Sequence, residues 1–201
     1  KKIVFHSNQT RALTGFGKHT KNLLQYLFQT GKYEIVEFCN GIQFSHPQNE
    51  TLPWKCYGSL PDDQRVLDKV NKKGGDQARA AGYGSETVDQ LIKKEKPDIY
   101  IGIEDIWGFS GYWNRKWWNK INCMIWTTLD SLPILPEAVQ AASKIKNYYV
   151  WATFAEKEMK RLGHDHVKTM HGCVDTKIFY SLSDNKRNEL RQRFNIDLDT
   201  Y

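Results

Sequence analysis

The chain has 201 residues, 40% of them hydrophobic and 13% aromatic, with a net charge of +6. That is enough apolar material to bury a core, which excludes intrinsic disorder, and no apolar run reaches the roughly 18–20 residues of a membrane helix. The length suits one large domain, or one domain with the start of another.

In chain order, residues 3–5 form a short strand-like run with no signal-peptide layout before it. Residues 6–14 are polar and turn-like. Leu23, Leu24, Leu27 and Phe28 then recur at helical spacing, so residues 15–28 read as a helix with Thr14 as its N-cap. A second strand covers residues 33–38. Residues 40–62 read as irregular, with a strand at 54–57. Residues 62–84 are polar and contain Lys72-Lys73-Gly74-Gly75, which reads as a loop or a weak helix followed by one. A helix over 85–96 is capped by Ser85, carries the stripe Val88, Leu91 and Ile92, and stops at Pro97. Apolar strands follow at 98–103 and 121–128, separated by an aromatic segment holding Trp107, Phe109, Tyr112, Trp113, Trp117 and Trp118. The remaining elements are a helix at 136–145, a strand at 148–151, a helix at 154–162 closed by Gly163, a short strand at 167–170 and a charged helix at 183–194.

Strands therefore alternate with helices, and the strands are continuous apolar runs. Such strands are buried on both faces, which predicts an α/β fold: a Rossmann-like parallel sheet with helices on both faces. Ligands of these sheets sit at the carboxyl ends of the strands, so the residues just after each strand carry the functional argument.

After the first strand, Gly15 and Gly17 stand at a helix start. Glycines there let backbone N–H groups approach an anion, the helix dipole favours negative charge, and Lys18 adds a cation. A tight turn with close helix–sheet packing explains the same glycines. A dinucleotide fingerprint fails because Thr20 stands where its third glycine belongs, and a phosphate loop fails at Ala12 and His19. Residues 1–33 hold six basic residues and no acid, which favours an anionic ligand near this turn, or is simply a solvated basic face. The lysines are not clustered and no nucleic-acid motif is present, so nucleic acid is not an expected partner. Peripheral contact with a membrane surface stays open.

The strand ending at 103 delivers Glu104 and Asp105, acids that could bind hydroxyls or serve as helix caps. The next strand delivers Asp130, which could orient a substrate hydroxyl or cap the helix that follows. The aromatic segment could stack on sugar faces, although its helical spacing is more common in a core or interface. His164-Asp165-His166 lacks a third ligand at useful spacing and reads as a polar loop. Cys39, Cys56, Cys123 and Cys173 contain no CxxC, so they read as small buried hydrophobes in a reducing, cytoplasmic compartment, with neither a disulfide framework nor a zinc site. The sequons at Asn8 and Asn49 then read as chance matches.

The segment VKTMHGCVDTKIF, Val167 to Phe179, resembles the hGVDt..F signature of GT-B glycosyltransferases of the group 1 (family 4) kind. TFAEKEMKRLGHDHV resembles the helix that leads into that signature. TGFGKHTKNLL is similar to the family's first glycine turn and helix, and KPDIYIGIED to its fourth-strand region. The resemblance implies the amino-terminal half of a two-domain enzyme. Residues 1–175 would be a Rossmann-like acceptor-side domain, and residues 176–201 an interdomain linker with the start of a donor-binding domain. It implies transfer of a hexose from a nucleotide-sugar to a sugar-type acceptor, with no separate cofactor. It also implies no metal, because helix dipoles and basic side chains bear the diphosphate charge. Gly15, Phe16, Gly17 and Lys18 would face the donor diphosphate and acceptor. Glu104 and Asp105 would line the site, Asp130 would be the catalytic residue, and His171 and Gly172 would form the interdomain turn. Where the family often has a donor-binding His, this chain has Leu129, and Cys173 departs from the usual GVD. Two alternatives remain. One is a stand-alone carbohydrate- or protein-binding module. The other is a different nucleotide-dependent enzyme such as an epimerase, which would need the phosphate fingerprint that is missing.

Overall fold

The computed structural model describes residues 1–200. Its elements are β1 (Lys2–Ser7), α1 (Gly15–Gln29), β2 (Glu34–Gln43), β3 (Lys55–Leu60), α2 (Gln64–Lys73), α3 (Gly75–Gly82), α4 (Val88–Glu95), β4 (Ile99–Ile103), β5 (Asn122–Thr127), α5 (Pro136–Ala142), β6 (Asn147–Val150), α6 (Thr153–Arg161), β7 (Lys168–Thr169) and α7 (Asp184–Arg193). The strands form one seven-stranded sheet in the order β3-β2-β1-β4-β5-β6-β7, and every pairing is parallel. This is the predicted α/β class.

Side-chain alternation along each strand splits the core in two. Val4, Val36, Tyr100, Ile125 and Tyr148 face the layer that holds Val88 and Leu91 of α4, Ala138 and Ala141 of α5 and Met159 of α6. Ile3, Phe5, Ile35, Ile103 and Trp126 face the other way, against Leu24, Leu23 and Leu27 of α1. Helices thus cover both faces. The start of α1 is fixed as its sequence predicts, with the Thr14 Oγ1 accepting from the Gly17 amide at 3.0 Å.

Five expectations shift. β2 runs on to Gln43 and β3 to Leu60, so residues 40–62 contain more strand than their irregular composition suggests. Residues 62–84 form two helices, broken where Gly74 and Gly75 take positive φ. The helix predicted from Ser85 begins only at Val88, after a turn, and its Lys96 ends in the left-handed region at φ 48°. The helix expected to run to 145 stops at Ala142. The aromatic segment is three short 3-10 turns rather than one helix, and Phe109, Tyr112 and Trp118 are buried in the core. None of residues 173–200 is buried.

Candidate functional site

Strand order reverses direction between β1 and β4: from β1 the chain builds outward through β2 and β3, then returns to β4 on the other side. The crevice beyond the carboxyl ends at such a switch point is where open parallel sheets bind ligands. His6 and Ser7 end β1, and Glu104 and Asp105 follow β4, so both approach this crevice.

Beneath it runs a chain of buried polar groups. Tyr100 Oη lies 2.6 Å from His6 Nδ1, His6 Nε2 lies 2.8 Å from Asn40 Oδ1, and Asn40 Nδ2 donates to Glu104 Oε2 at 3.1 Å. Asn40 presents its oxygen to His6, so the imidazole donates from Nε2 and accepts the tyrosine hydroxyl at Nδ1. Every member is satisfied, which is the condition for tolerating such a chain in a core. Burial pushes the His6 pKa down to about 3, so the ring is neutral. Burial pushes the Glu104 carboxyl up to about 7, helped by the nearby Asp105 and opposed by hydrogen bonds from the Asp105 amide and Asn40. Tyr83, over the same carboxyl, is also raised, first by burial and then by Glu104 and Asp105.

Above this layer Asp105 accepts from Thr128 Oγ1 at 2.7 Å, tying the end of β4 to the end of β5. Asp105, Trp107, Thr128, Asp130 and Ser131 surround a cavity of about 220 Å³. This is the scale of a single sugar ring. Arg79 sits over the Trp107 ring at 5.1 Å and Tyr83 meets its edge at 4.9 Å, which hold the indole at the rim. Larger surface cavities lie elsewhere, among them one of about 500 Å³ beside the outer strand β3 and one of about 640 Å³ lined by residues 142–146 just before β6. The smaller one is the candidate site because it alone of the three holds the acids delivered by β4 and β5.

The glycine turn is built differently from its sequence reading. A Cβ on Gly17 would lie 2.7 Å from the carbonyl oxygens of Ala12 and Gln9, and its amide is committed to Thr14. Gly17 therefore serves close packing of its own loop. Gly15 faces open space, and its amide and that of Phe16 belong to the first turn, where a helix leaves donors without intrahelical acceptors. Lys18 is exposed, and Phe16 packs edge-on against Trp151 at 5.6 Å. His171 donates from Nδ1 to the Trp151 carbonyl at 2.9 Å. A Cβ on Gly172 would meet the Trp151 ring at 2.4 Å, so this turn is held by close contact with a tryptophan.

The structure thus brings Asp105 and Asp130 together around one cavity, places Glu104 beneath it, and leaves Gly15, Lys18, His171 and Gly172 outside its lining. Leu129, where the resemblance suggests a donor-binding histidine, is buried at 6% exposure, packed in the core cluster and also part of the cavity wall. Sequence reasoning gave no role to His6, Asn40 or Thr128, whose partners come from distant strands. Cys173 is exposed, contrary to the expectation that the cysteines are buried, whereas Cys39, Cys56 and Cys123 are buried free thiols. Asn49 is buried and its amide donates to the Phe44 carbonyl at 3.2 Å, which fits a chance sequon. His166 donates to the Ala142 carbonyl at 2.9 Å, a loop-closing role. No helix among the described residues is long and apolar enough to cross a membrane.

No family model matches the chain, and no curated protein sequence does. Solved structures do. Sucrose-phosphate synthase from Thermosynechococcus elongatus superposes with a TM-score of 0.57 at 13% identity, over 99% of this chain and 53% of that one. The apo form of the lipopolysaccharide outer core galactosyltransferase WaaB gives 0.55 at 15% identity, over 87% and 46%. The catalytic domain of starch synthase IV from Arabidopsis thaliana, bound to ADP and acarbose, gives 0.55 at 10% identity, over 100% and 60%. The chain spans about half the length of these proteins. At such identities the likeness is one of fold, and the fold is that of the GT-B glycosyltransferases, in the form of a Rossmann-like domain with an unbroken parallel sheet.

Proposed function

We propose that this chain is the acceptor-side part of a glycosyltransferase that moves a hexose from a nucleotide-sugar to a sugar-type acceptor. The observation that carries the reading is the convergence of Asp105, Trp107 and Asp130 on one cavity at the carboxyl ends of β4 and β5, beside the switch point of a GT-B sheet. The chemistry of the lining suits a polyhydroxylated ring: an indole offers an apolar face to sugar C–H groups, and carboxylates accept from hydroxyls.

In this reading Asp130 accepts the hydrogen bond of the attacking acceptor hydroxyl and takes its proton as the new glycosidic bond forms. The bond from the anomeric carbon to the diphosphate breaks, and the diphosphate keeps the electron pair. The amides of Gly15 and Phe16, the amino-terminal dipole of α1 and Lys18 face that developing charge. Asp105, fixed by Thr128, orients a second hydroxyl. Glu104 supports Asn40 and Tyr83 from below rather than touching the sugar.

The test is sugar transfer by the longest native product that contains this chain, with Asp130→Asn and Trp107→Ala. Asp130→Asn should lower kcat by about 100-fold or more, the usual worth of a proton-transfer group. Trp107→Ala should raise the acceptor KM. Unchanged kinetics in both variants would return the cavity to a structural role.

A further inference from the structure

Glu37 and Cys39 lie two residues apart on β2, hence on the same face of the sheet, and Cys56 of β3 is in register with Glu37. Their ligand atoms all lie within 4.8 Å of one another, and the two sulfurs are 3.6 Å apart. We propose that Glu37, Cys39 and Cys56 form a buried site for one thiophilic divalent cation of the zinc class. The lack of a CxxC does not exclude it, because strand register supplies the proximity that sequence spacing does not.

The sulfur pair fits tetrahedral coordination. An ion about 2.3 Å from each of two thiolates sets the sulfurs about 3.8 Å apart, close to the separation already present. Asn49 Oδ1, 3.5 Å from Cys56 Sγ, supplies a fourth, oxygen donor. The Glu37 carboxylate is oriented by the Thr10 amide at 2.9 Å, the Thr10 hydroxyl at 2.9 Å and Trp54 Nε1 at 2.8 Å, the kind of outer hydrogen bonding that holds a ligating carboxylate in place. Charge also balances. Two thiolates and one carboxylate exceed a divalent cation by one negative charge, and the Arg11 guanidinium, bound to Asn49 Oδ1 at 3.2 Å, offsets it. Thiols bind such an ion as thiolates, so binding releases protons to solvent. The cavity of about 500 Å³ beside β3 has Cys56 and Asn49 in its wall and provides the way in. A bound ion would clamp β2 to β3 and, through Thr10 and Arg11, stiffen the loop that leads to Gly15.

The test uses the purified, reduced chain. After incubation with zinc and removal of the excess, elemental analysis should find one zinc per chain and a raised Tm. Cobalt should give a thiolate charge-transfer band saturating at one equivalent, lost in Cys39→Ser and in Cys56→Ser. If either variant fails to fold, proton release on cobalt binding to the wild-type chain decides, with release that saturates at one equivalent of cobalt expected and no release overturning the site. Zinc well below one per chain, a band that survives either serine variant, or a Cys39–Cys56 disulfide in the native protein would each overturn it.

Discussion

Burial lowers the His6 pKa and raises that of Glu104, so two members of one hydrogen-bonded chain titrate with opposite consequences for stability. Glu104 moves from an ordinary 4.5 to about 7, so between these values the folded chain binds more protons than the unfolded one, and this contribution falls as pH rises. His6 moves from 6.5 to about 3, so its contribution grows as pH rises across that window. The two partly cancel in the wild type, and comparison with Glu104→Gln isolates the carboxyl. The unfolding free energy of wild type minus variant should decrease from pH 4.5 to 7, as read by urea denaturation; a difference independent of pH would place Glu104 in a different environment. The glycines separate just as cleanly. Gly172→Ala should cost about 1–3 kcal/mol by driving a methyl into Trp151, visible as a Tm lowered by several degrees. Gly15→Val should leave the fold intact, since its Cβ meets nothing, while the proposed function predicts weaker nucleotide-sugar binding by the longest native product. Unchanged affinity would make Gly15 a turn residue only. The HGC turn, Asp105 and Asp130 were legible because they follow apolar strands directly. His6 was not, because its partners Asn40 and Tyr100 lie 34 and 94 residues away and only the sheet order brings them near.

At the scale of elements, legibility followed the amount of buried apolar surface. α1 and α4 declared themselves through stripes that the core covers, and Leu24, fully buried, should cost about 2–5 kcal/mol when cut to Ala. α2 and α3 bury only Val70 and Ala81 as whole side chains, so their polar sequence left no stripe to read. Ser85 has the composition of a cap, but the chain closes a turn before the helix starts at Val88, and local propensity yielded to that turn. The dense aromatic segment mixes two roles in one run: Phe109, Tyr112 and Trp118 fill the core, whereas Trp107 reaches the cavity rim. Helical spacing alone could not sort them, because the segment is not one helix. α7 was legible as a helix from its charged run, and the structure adds Ser183 as its cap, although none of its side chains is buried. Removing residues 173–200 should therefore leave the Tm of the sheet domain within about 1–2 °C, consistent with the small effects of changes that bury nothing. A larger drop would mean that this segment holds the domain together.

For the whole molecule, the decisive feature is the order of an all-parallel sheet with its reversal between β1 and β4, which puts the acids of β4 and β5 on one rim and the glycine turn of α1 on the neighbouring one. Alternation of apolar strands and helices made that class readable from the sequence, while the order of the strands came only with the fold. The rims differ in chemistry: Lys18 and open first-turn amides on one side, Asp105 and Asp130 on the other. The proposed transfer from an anionic donor to a hydroxyl-bearing acceptor uses that asymmetry, and it stands or falls with sugar binding in the cavity. The most direct measurement is an amide and indole NMR titration of this chain with neutral monosaccharides and disaccharides. Shifts confined to Asp105, the Trp107 indole and residues 128–131, and abolished by Trp107→Ala, are the expected result. Shifts centred on another surface, or none at saturating sugar, would contradict it.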